Sequence, residues 1–459
     1  MPALRFLVSD DDRHHQVLRF GIVAALAVLP TTAVAGSIAS VSEQGGVMTV
    51  SGSGFGTTGP DIVLFDDFER GPDGAAITLS SPVLGTWSYV HAPADNPARY
   101  SSANAHGGAY VARLDADADP THTDPSATYY NYLSSTFPPT LDVYYSFWYY
   151  LPVGDVTPGT GHVDGTNWKF VWLMEDDGGT VNDIISGTVS NPPTYTVMGG
   201  NNSGFGTGCE GALYPCGYCT AMTNGVWVRH SAYVHGGSNL DGALEVDEIP
   251  FETGPTTDCP DACGSPTKTC RMDKKRYANA TIGLDGHSYQ RLNINGYNRE
   301  TPNSHPTYDD VYIATGPGAR ARVELSSTMT WGDVAHGADL EMSVCTPSAW
   351  ANDQIQCGVH LGSFAPGATV YVFVVAADGI VSDQDPMTAG AQGFAFVLGA
   401  GASSGADAGT NADAGGSNGG GTAGCSAAGD SRDSRGSLAA CVLVVLGLRR
   451  PRIARRRLL

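Results

Sequence analysis

The residues best suited to chemistry in this chain alternate along one short stretch. His287, Tyr289, Arg291, Asn293 and Asn295 are separated by Ser288, Gln290, Leu292 and Ile294. Successive side chains point to opposite faces of a strand, so a strand here is expected to show all five on one face. Aromatic, guanidinium, imidazole and amide groups gathered on one surface can stack on sugar rings and hydrogen-bond their hydroxyls. Asn293 and Asn295 are therefore expected substrate contacts. Lys169, in Asn167-Trp168-Lys169-Phe170-Val171-Trp172, and Arg229, in Trp227-Val228-Arg229-His230, are expected to join them. In the Lys169 stretch, Trp168, Phe170 and Trp172 are expected to be core, with Lys169 and Val171 on the other face.

Two carboxylate-rich stretches lie some 240 residues apart. One is Phe65-Asp66-Asp67-Phe68-Glu69; the other is Tyr308-Asp309-Asp310-Val311-Tyr312-Ile313-Ala314. Adjacent carboxylates are costly to bury unless they are paired or ligated. If these stretches are the first and last strands of one sandwich, lying side by side, Asp67, Glu69 and Asp310 offer hard oxygen ligands to a structural Ca²⁺. Asp115-x-Asp117-x-Asp119 has part of a calcium-loop spacing but lacks its Gly and distal Glu. Glu245 and Asp247 would share a strand face, as two glycosidase carboxylates must. With Ile249 and Pro250 following, an ordinary exposed strand after the Asp241-Gly242 turn is the better reading.

The elements that must position these groups are strands. In 459 residues there are 59 Gly and 27 Pro, with short aromatic and β-branched runs between turn residues, so the expected class is all-β. Gly21 to Pro30 is apolar, Arg19 precedes it, and Ala33-Val34-Ala35 fits a cleavage site. Residues 1–35 are thus expected to be a secretory signal peptide, which permits disulfides in the exported chain. Residues 36–424 carry 14 Lys and Arg against 41 Asp and Glu, a net charge of −27. That excludes nucleic acid as a natural partner and disfavours an anionic polysaccharide, unless a local basic groove overrides the field.

Ser37-Ile38-Ala39-Ser40-Val41-Ser42, Gly45-Gly46 and Val47-Met48-Thr49-Val50-Ser51-Gly52-Ser53-Gly54-Phe55-Gly56 read as two strands about a turn. They resemble the opening of an IPT/TIG domain, an immunoglobulin-like sandwich. Later strands of that pattern appear only at Trp350-x4-Ile355 and Gly367 to Val375. The resemblance implies a split domain, 37–64 and 322–398, with 65–320 inserted at a surface loop, where insertions are best tolerated. Within the insert, "FDDFE", "NWKF", "WVRH" and "YDDVYIA" resemble the concanavalin-A-like jelly rolls of bacterial polysaccharide lyases and lectins. The resemblance implies a jelly-roll β-sandwich whose concave sheet binds extracellular polysaccharide. For a lyase it further implies β-elimination from a uronate polymer. There Tyr289 or Tyr297, with His287, would remove the proton α to the carboxylate, and Arg291 would neutralise that carboxylate. A structural or adhesive surface protein without a groove is the third reading.

Cys209, Cys216, Cys219, Cys259, Cys263 and Cys270 are expected to form disulfides stapling two long loops, with pairing left open. Cys345 and Cys357, twelve apart around a turn, are expected to bridge a hairpin. From Gly399 the composition shrinks to Gly, Ala, Ser, Asp and Asn, so 399–424 is expected to be a disordered linker. Residues 425–459 hold Cys425, an apolar run from Leu438 to Leu448 and, after that run, six Arg. They resemble the myxobacterial sorting tag known as MYXO-CTERM, with its hydrophobic tail helix. That resemblance implies Cys425 as the processed residue, a sorting protease as partner, and a cell-surface destination.

Overall fold

The computed structural model describes residues 36–399 apart from 92–96, 116–127, 130, 156–167, 175–183, 189–194, 200–217, 220–223, 250–274, 283–287, 300–304, 332–340 and 384–391. The expected signal peptide, the linker beyond Gly399, the tail with Cys425, His287, and all the loop cysteines except Cys219 lie outside the described residues.

Among the described residues every regular element is a strand. The chain opens with β1 (Ser37–Gln44), β2 (Val47–Ser53), β3 (Asp61–Asp66), β4 (Leu84–Gly85), β5 (Tyr89–His91), β6 (Arg99–Ser101), β7 (Val111–Arg113) and β8 (Thr128–Tyr129). It continues through β9 (Tyr132–Thr140), β10 (Asp142–Tyr150), β11 (Trp168–Met174), β12 (Ile184–Thr188), β13 (Tyr195–Gly199), β14 (Tyr218–Cys219), β15 (Trp227–His235) and β16 (Gly237–Ile249). Then come β17 (Lys275–Ile282), β18 (Tyr289–Arg299), β19 (Thr307–Thr315), β20 (Arg322–Ser326), β21 (Met342–Trp350), β22 (Gln354–Gly358), β23 (Thr369–Val375) and β24 (Phe394–Val397).

Two antiparallel sheets make the larger, jelly-roll sandwich. One runs β17-β16-β15-β10-β19-β3-β4 with β7 and β6 beside it; the other runs β14-β13-β12-β11-β18-β9-β5 with β8 on β18. The expected meeting of the two carboxylate stretches is present: β3 pairs with β19, placing Asp66 opposite Val311 and Phe65 opposite Tyr312. Leu64, Val143, Tyr145, Phe147, Val311 and Ile313 of the first sheet close on Leu133, Phe137, Val171, Leu173, Leu292 and Ile294 of the second.

The smaller, immunoglobulin-like sandwich follows the order β1-β2-β22-β21-β20-β23-β24. Here β2 pairs with β22, some 300 residues later, so the chain leaves this sheet after β2 and returns at β20. β21 serves two partners. Its first half, to Cys345, pairs with β20, and its second half, from Thr346, pairs with β22. The sheet thereby folds over a core of Met48, Val50, Val323, Ile355 and Val372. The expected Cys345–Cys357 disulfide joins β21 to β22, with Cα atoms 5.6 Å apart.

The middle strands β10 and β19 of the nine-stranded sheet are buried on both faces, which explains the nearly continuous apolar run of β10. Val143, Tyr145, Phe147 and Tyr149 enter the large core. The alternate residues Tyr144 and Trp148 instead pack on Val344 and Met342 of the smaller sandwich.

Candidate functional site

The outward rows of the eight-stranded sheet follow from register, since residues directly opposite on antiparallel strands share a face. Leu133, Val171, Leu173, Leu292 and Ile294 are core, so the positions between them face out. One row reads Tyr89, Ser134, Asn293 and Trp172; the next holds Thr136, Arg291 and Met174. Tyr89 is 49 % exposed and Thr136 is exposed, while Tyr132, Trp172 and Arg291 are partly exposed. The Tyr89 and Tyr132 rings lie 5.8 Å apart at 47°. Beside them the hydroxyls of Ser88 and Thr136 are 2.6 Å apart. Asn293 donates to Met174 Sδ at 3.3 Å, and its buried Oδ1 has no partner among the described residues. The surface is thus aromatic, hydroxylated and cationic.

Several expected site residues are elsewhere. The stripe 287–295 does not share one face: the register shifts between Tyr289 and Arg291. That bulge turns Tyr289 into the core, fully buried, while Arg291 stays half-exposed and Asn293, on the outer face by register, is itself buried. Asn295 is buried too, with φ 58°, a left-handed conformation that asparagine tolerates. Its Nδ2 donates to Asn131 O at 2.8 Å, and its Oδ1 accepts from the Tyr308 hydroxyl at 3.2 Å. A second register shift lies between Lys169 and Val171. Val171 and Leu173 are the core residues of β11 and Trp172 faces outward, the reverse of the expected assignment. The same register sets Lys169 opposite Tyr297.

Arg229 meets no groove. Its strand β15 neighbours β10, whose outer face the smaller sandwich covers. The guanidinium lies between Glu324 Oε2 and Oε1, 3.2 Å from each, with the Ser146 hydroxyl at 3.4 Å. Arg322 also donates to Glu324 and lies over the Tyr144 ring at 4.4 Å. Burial alone would raise the Glu324 pKa, but Arg229 and Arg322 hold it down at about 2.

The carboxylates of β3 and β19 are adjacent, as expected, but their oxygens diverge. Asp66 accepts from Trp87 Nε1 at 2.7 Å and from the Phe68 amide at 3.0 Å. Burial, opposed by those bonds, raises its pKa to about 7. Asp67 takes the Glu69 amide at 3.3 Å, while Glu69 Oε1 accepts the amides of Ala109 and Tyr110, both at 2.8 Å. Asp309 accepts from Gly107 N at 3.1 Å and from Asp310 N at 2.9 Å. Burial first, and then the Asp310 charge, push Asp309 well above the usual carboxylate range. Asp310 Oδ2 is buried without a partner among the described residues. Among the described residues no group of three or more His, Cys, Asp or Glu is arranged to hold a metal ion.

Sequence reasoning missed the outward rows on β5 and β9. The available signal was Val90 between Tyr89 and His91, an apolar residue flanked by two rings with polar tips. A three-residue strand offers little periodicity to read.

No protein-family model and no curated protein matches the chain. Among solved structures it is similar to an endo-β-1,4-glucuronan lyase from the fungus Trichoderma reesei. Identity is 10%, over 50% of this chain and 91% of that one, with a TM-score of 0.32. It is also similar to a PL-14 alginate lyase from Aplysia kurodai, at 11% identity over 53% and 97% and a TM-score of 0.33. A third similar structure is the cellulose-induced protein Cip1, at 16% identity over 55% and 97% and a TM-score of 0.31.

Proposed function

We propose that this is an exported cell-surface protein that binds extracellular polysaccharide on the outer face of its eight-stranded sheet. One observation carries the reading: Tyr89 and Trp172 in one row, with Thr136 and Arg291 in the next, put ring faces and hydrogen-bonding groups on one surface. Tyrosine and tryptophan offer flat apolar faces with a polar handle, and amide, hydroxyl and guanidinium groups orient the sugar hydroxyls. The export signal, the IPT/TIG character of the smaller sandwich and the sorting of Cys425 by a protease belong to this proposal on sequence grounds. A panel of plant, algal and bacterial polysaccharides in affinity electrophoresis tests it. Retardation by at least one polymer, lost in Tyr89→Ala and Trp172→Ala, is expected; no retardation across the panel overturns it.

A second reading, a polysaccharide lyase acting by β-elimination, is favoured by the register that sets Lys169 opposite Tyr297. Elimination needs a base for the α-proton and a cation for the developing carboxylate charge. Tyrosine and lysine are suited to those roles. The product is an unsaturated uronate, so growth of its ultraviolet absorbance on a uronan panel, abolished in Tyr297→Phe, is the test. No growth with any uronan removes this reading and leaves the binding proposal standing.

A further inference from the structure

Burial falls off at the end of β10, where the smaller sandwich stops covering the outer face of the nine-stranded sheet. Trp148 is 2 % exposed and donates its indole N–H to the carbonyl of Met342, the first residue of β21. Two residues on, the same face of β10 carries Tyr150, directly opposite Trp227 on β15. Their rings lie 5.3 Å apart at 35°, and both residues are partly exposed. An aromatic pair is thus left at the rim of a face that is otherwise covered.

The smaller sandwich sets a polar wall beside this pair. Glu341, immediately before β21, has a side chain 34 % exposed. Its Oε2 accepts from the exposed Ser363 hydroxyl at 2.7 Å and lies 3.0 Å from His106 Nε2. The His106 ring stacks on that of Trp148, centroids 4.1 Å apart, and lies 5.1 Å from that of Trp227. One imidazole therefore ties the carboxylate to the rings and fixes its place. Burial would raise the Glu341 pKa, but the bonds to His106 and Ser363 hold it below the usual carboxylate range, so the group is charged. Glu341 Oε1 accepts no hydrogen bond among the described residues. Residues 332–340, ahead of it, lie outside the described residues.

Two rings beside a fixed carboxylate with one open oxygen suit a hydroxyl-rich ligand that has an apolar face. The rings offer flat area to the C–H face of a sugar, and the open oxygen accepts hydroxyl donors through charge-assisted bonds. An anionic sugar would meet Glu341 as a like charge, in a chain whose 36–424 segment has a net charge of −27. We propose that this corner between the two sandwiches is a second glycan-binding site, taking a neutral sugar unit on Tyr150 and Trp227 with its hydroxyls held by Glu341 and Ser363. His106 is a positioning residue there. The corner belongs to the nine-stranded sheet, so the proposal goes beyond the reading above and is independent of it.

The test is calorimetric titration of the full chain with the neutral hexasaccharides of glucose, xylose and mannose, beside a galacturonate hexamer and a chitosan hexamer. Each variant is made in the parent and in a Tyr89→Ala, Trp172→Ala background, which removes the rings of the eight-stranded sheet. At least one neutral hexasaccharide is expected to bind in that background. Trp227→Ala is expected to weaken it about tenfold, for the loss of a stacking face, and Glu341→Gln about tenfold, for the loss of a charged acceptor. Tyr150→Ala, read with an unchanged melting temperature, supplies the second ring variant if Trp227→Ala misfolds. Affinity indifferent to Trp227→Ala, Tyr150→Ala and Glu341→Gln overturns the proposal. So does binding seen in the parent but lost in the background, which leaves the reading of the eight-stranded sheet intact. Binding of the chitosan hexamer alone, or of the galacturonate hexamer as tightly as any neutral one in the background, overturns the assignment to a neutral sugar. No binding of any hexamer to any form overturns the corner, and the polysaccharide panel above then decides the other face by itself.

Discussion

Arg229 of the large sandwich grips Glu324 of the small one, 3.2 Å from each carboxylate oxygen, and both side chains are almost wholly buried. An ion pair this deep stabilises little relative to an apolar pair of the same shape, but breaking it strands a charge. Glu324→Gln leaves Arg229 and Arg322 buried without their carboxylate and is expected to cost about 3–5 kcal/mol. Replacing all three, as Arg229→Met, Glu324→Leu and Arg322→Met, is expected to recover most of that. Urea melts of the two variants beside the parent check the order; a single variant as stable as the parent contradicts it.

His360 lies at the same junction, its ring 3.9 Å from that of Phe65 and its Nε2 2.9 Å from the Thr346 hydroxyl. Burial lowers its pKa from 6.5 to about 3. The folded protein therefore refuses a proton that the unfolded chain accepts. Stability is unaffected above pH 6.5 and is lost as pH falls from there towards 3, by up to about 1.4 kcal/mol per pH unit. Asp66, with its raised pKa, acts in the opposite sense, losing stability as pH rises from 3.8 through about 7. The His360 contribution is isolated by comparing the parent with His360→Gln at pH 7, 6, 5 and 4. The parent is expected to lose ground to the variant at each step below about 6.5, and parallel curves would refute the assignment.

These two residues show what a sequence discloses. The pairing of β3 with β19 was legible because both are short strands carrying adjacent carboxylates, which are costly to bury unless brought together; that β19 is buried along its whole length was not. The Cys345–Cys357 bridge was legible from its spacing about a turn. The faces of β11 and β18 were not, because register shifts near Lys169 and Tyr289 interrupt the alternation. Nothing in Trp168-Lys169-Phe170-Val171-Trp172 marks such a shift. Arg229 was misread for another reason. A basic residue on a strand suggests solvent, and only the fold shows that a second sandwich, with Glu324 in place, covers it.

Asp310 puts a carboxylate oxygen without a partner beside the raised pair-mate Asp309, and burial with the repulsion of Asp67 and Glu69 pushes it up while His106 pulls it down. Asp310→Asn removes one of these like charges. In EDTA at pH 8 it is expected to stabilise the protein by on the order of 1 kcal/mol, with a smaller gain at pH 5 where protons already relieve the repulsion. EDTA itself is expected to leave the melting temperature of the parent unchanged. A fall with EDTA, restored by calcium and absent in Asp310→Asn, would instead mean that an ion draws Asp67, Glu69 and Asp310 together.

The middle strands β10 and β19 of the nine-stranded sheet have no solvent face to fall back on. Tyr144, Tyr312 and Ala314 pack on Val344, and Trp148 packs on Met342, donating its indole N–H to the Met342 carbonyl at 3.2 Å. A chain limited to residues 60–320 would bare those rings together with Arg229, whose counter-charge would be gone. Exposed apolar patches of that kind drive association. Such a chain is expected to be insoluble or to unfold well below the parent, although every strand of the large sandwich is present. The milder Trp148→Ala in the full chain is expected to cost about 3–5 kcal/mol. If residues 60–320 instead proved soluble, monomeric and as heat-stable as the parent, the smaller sandwich would be an appendage rather than the second wall of this sheet.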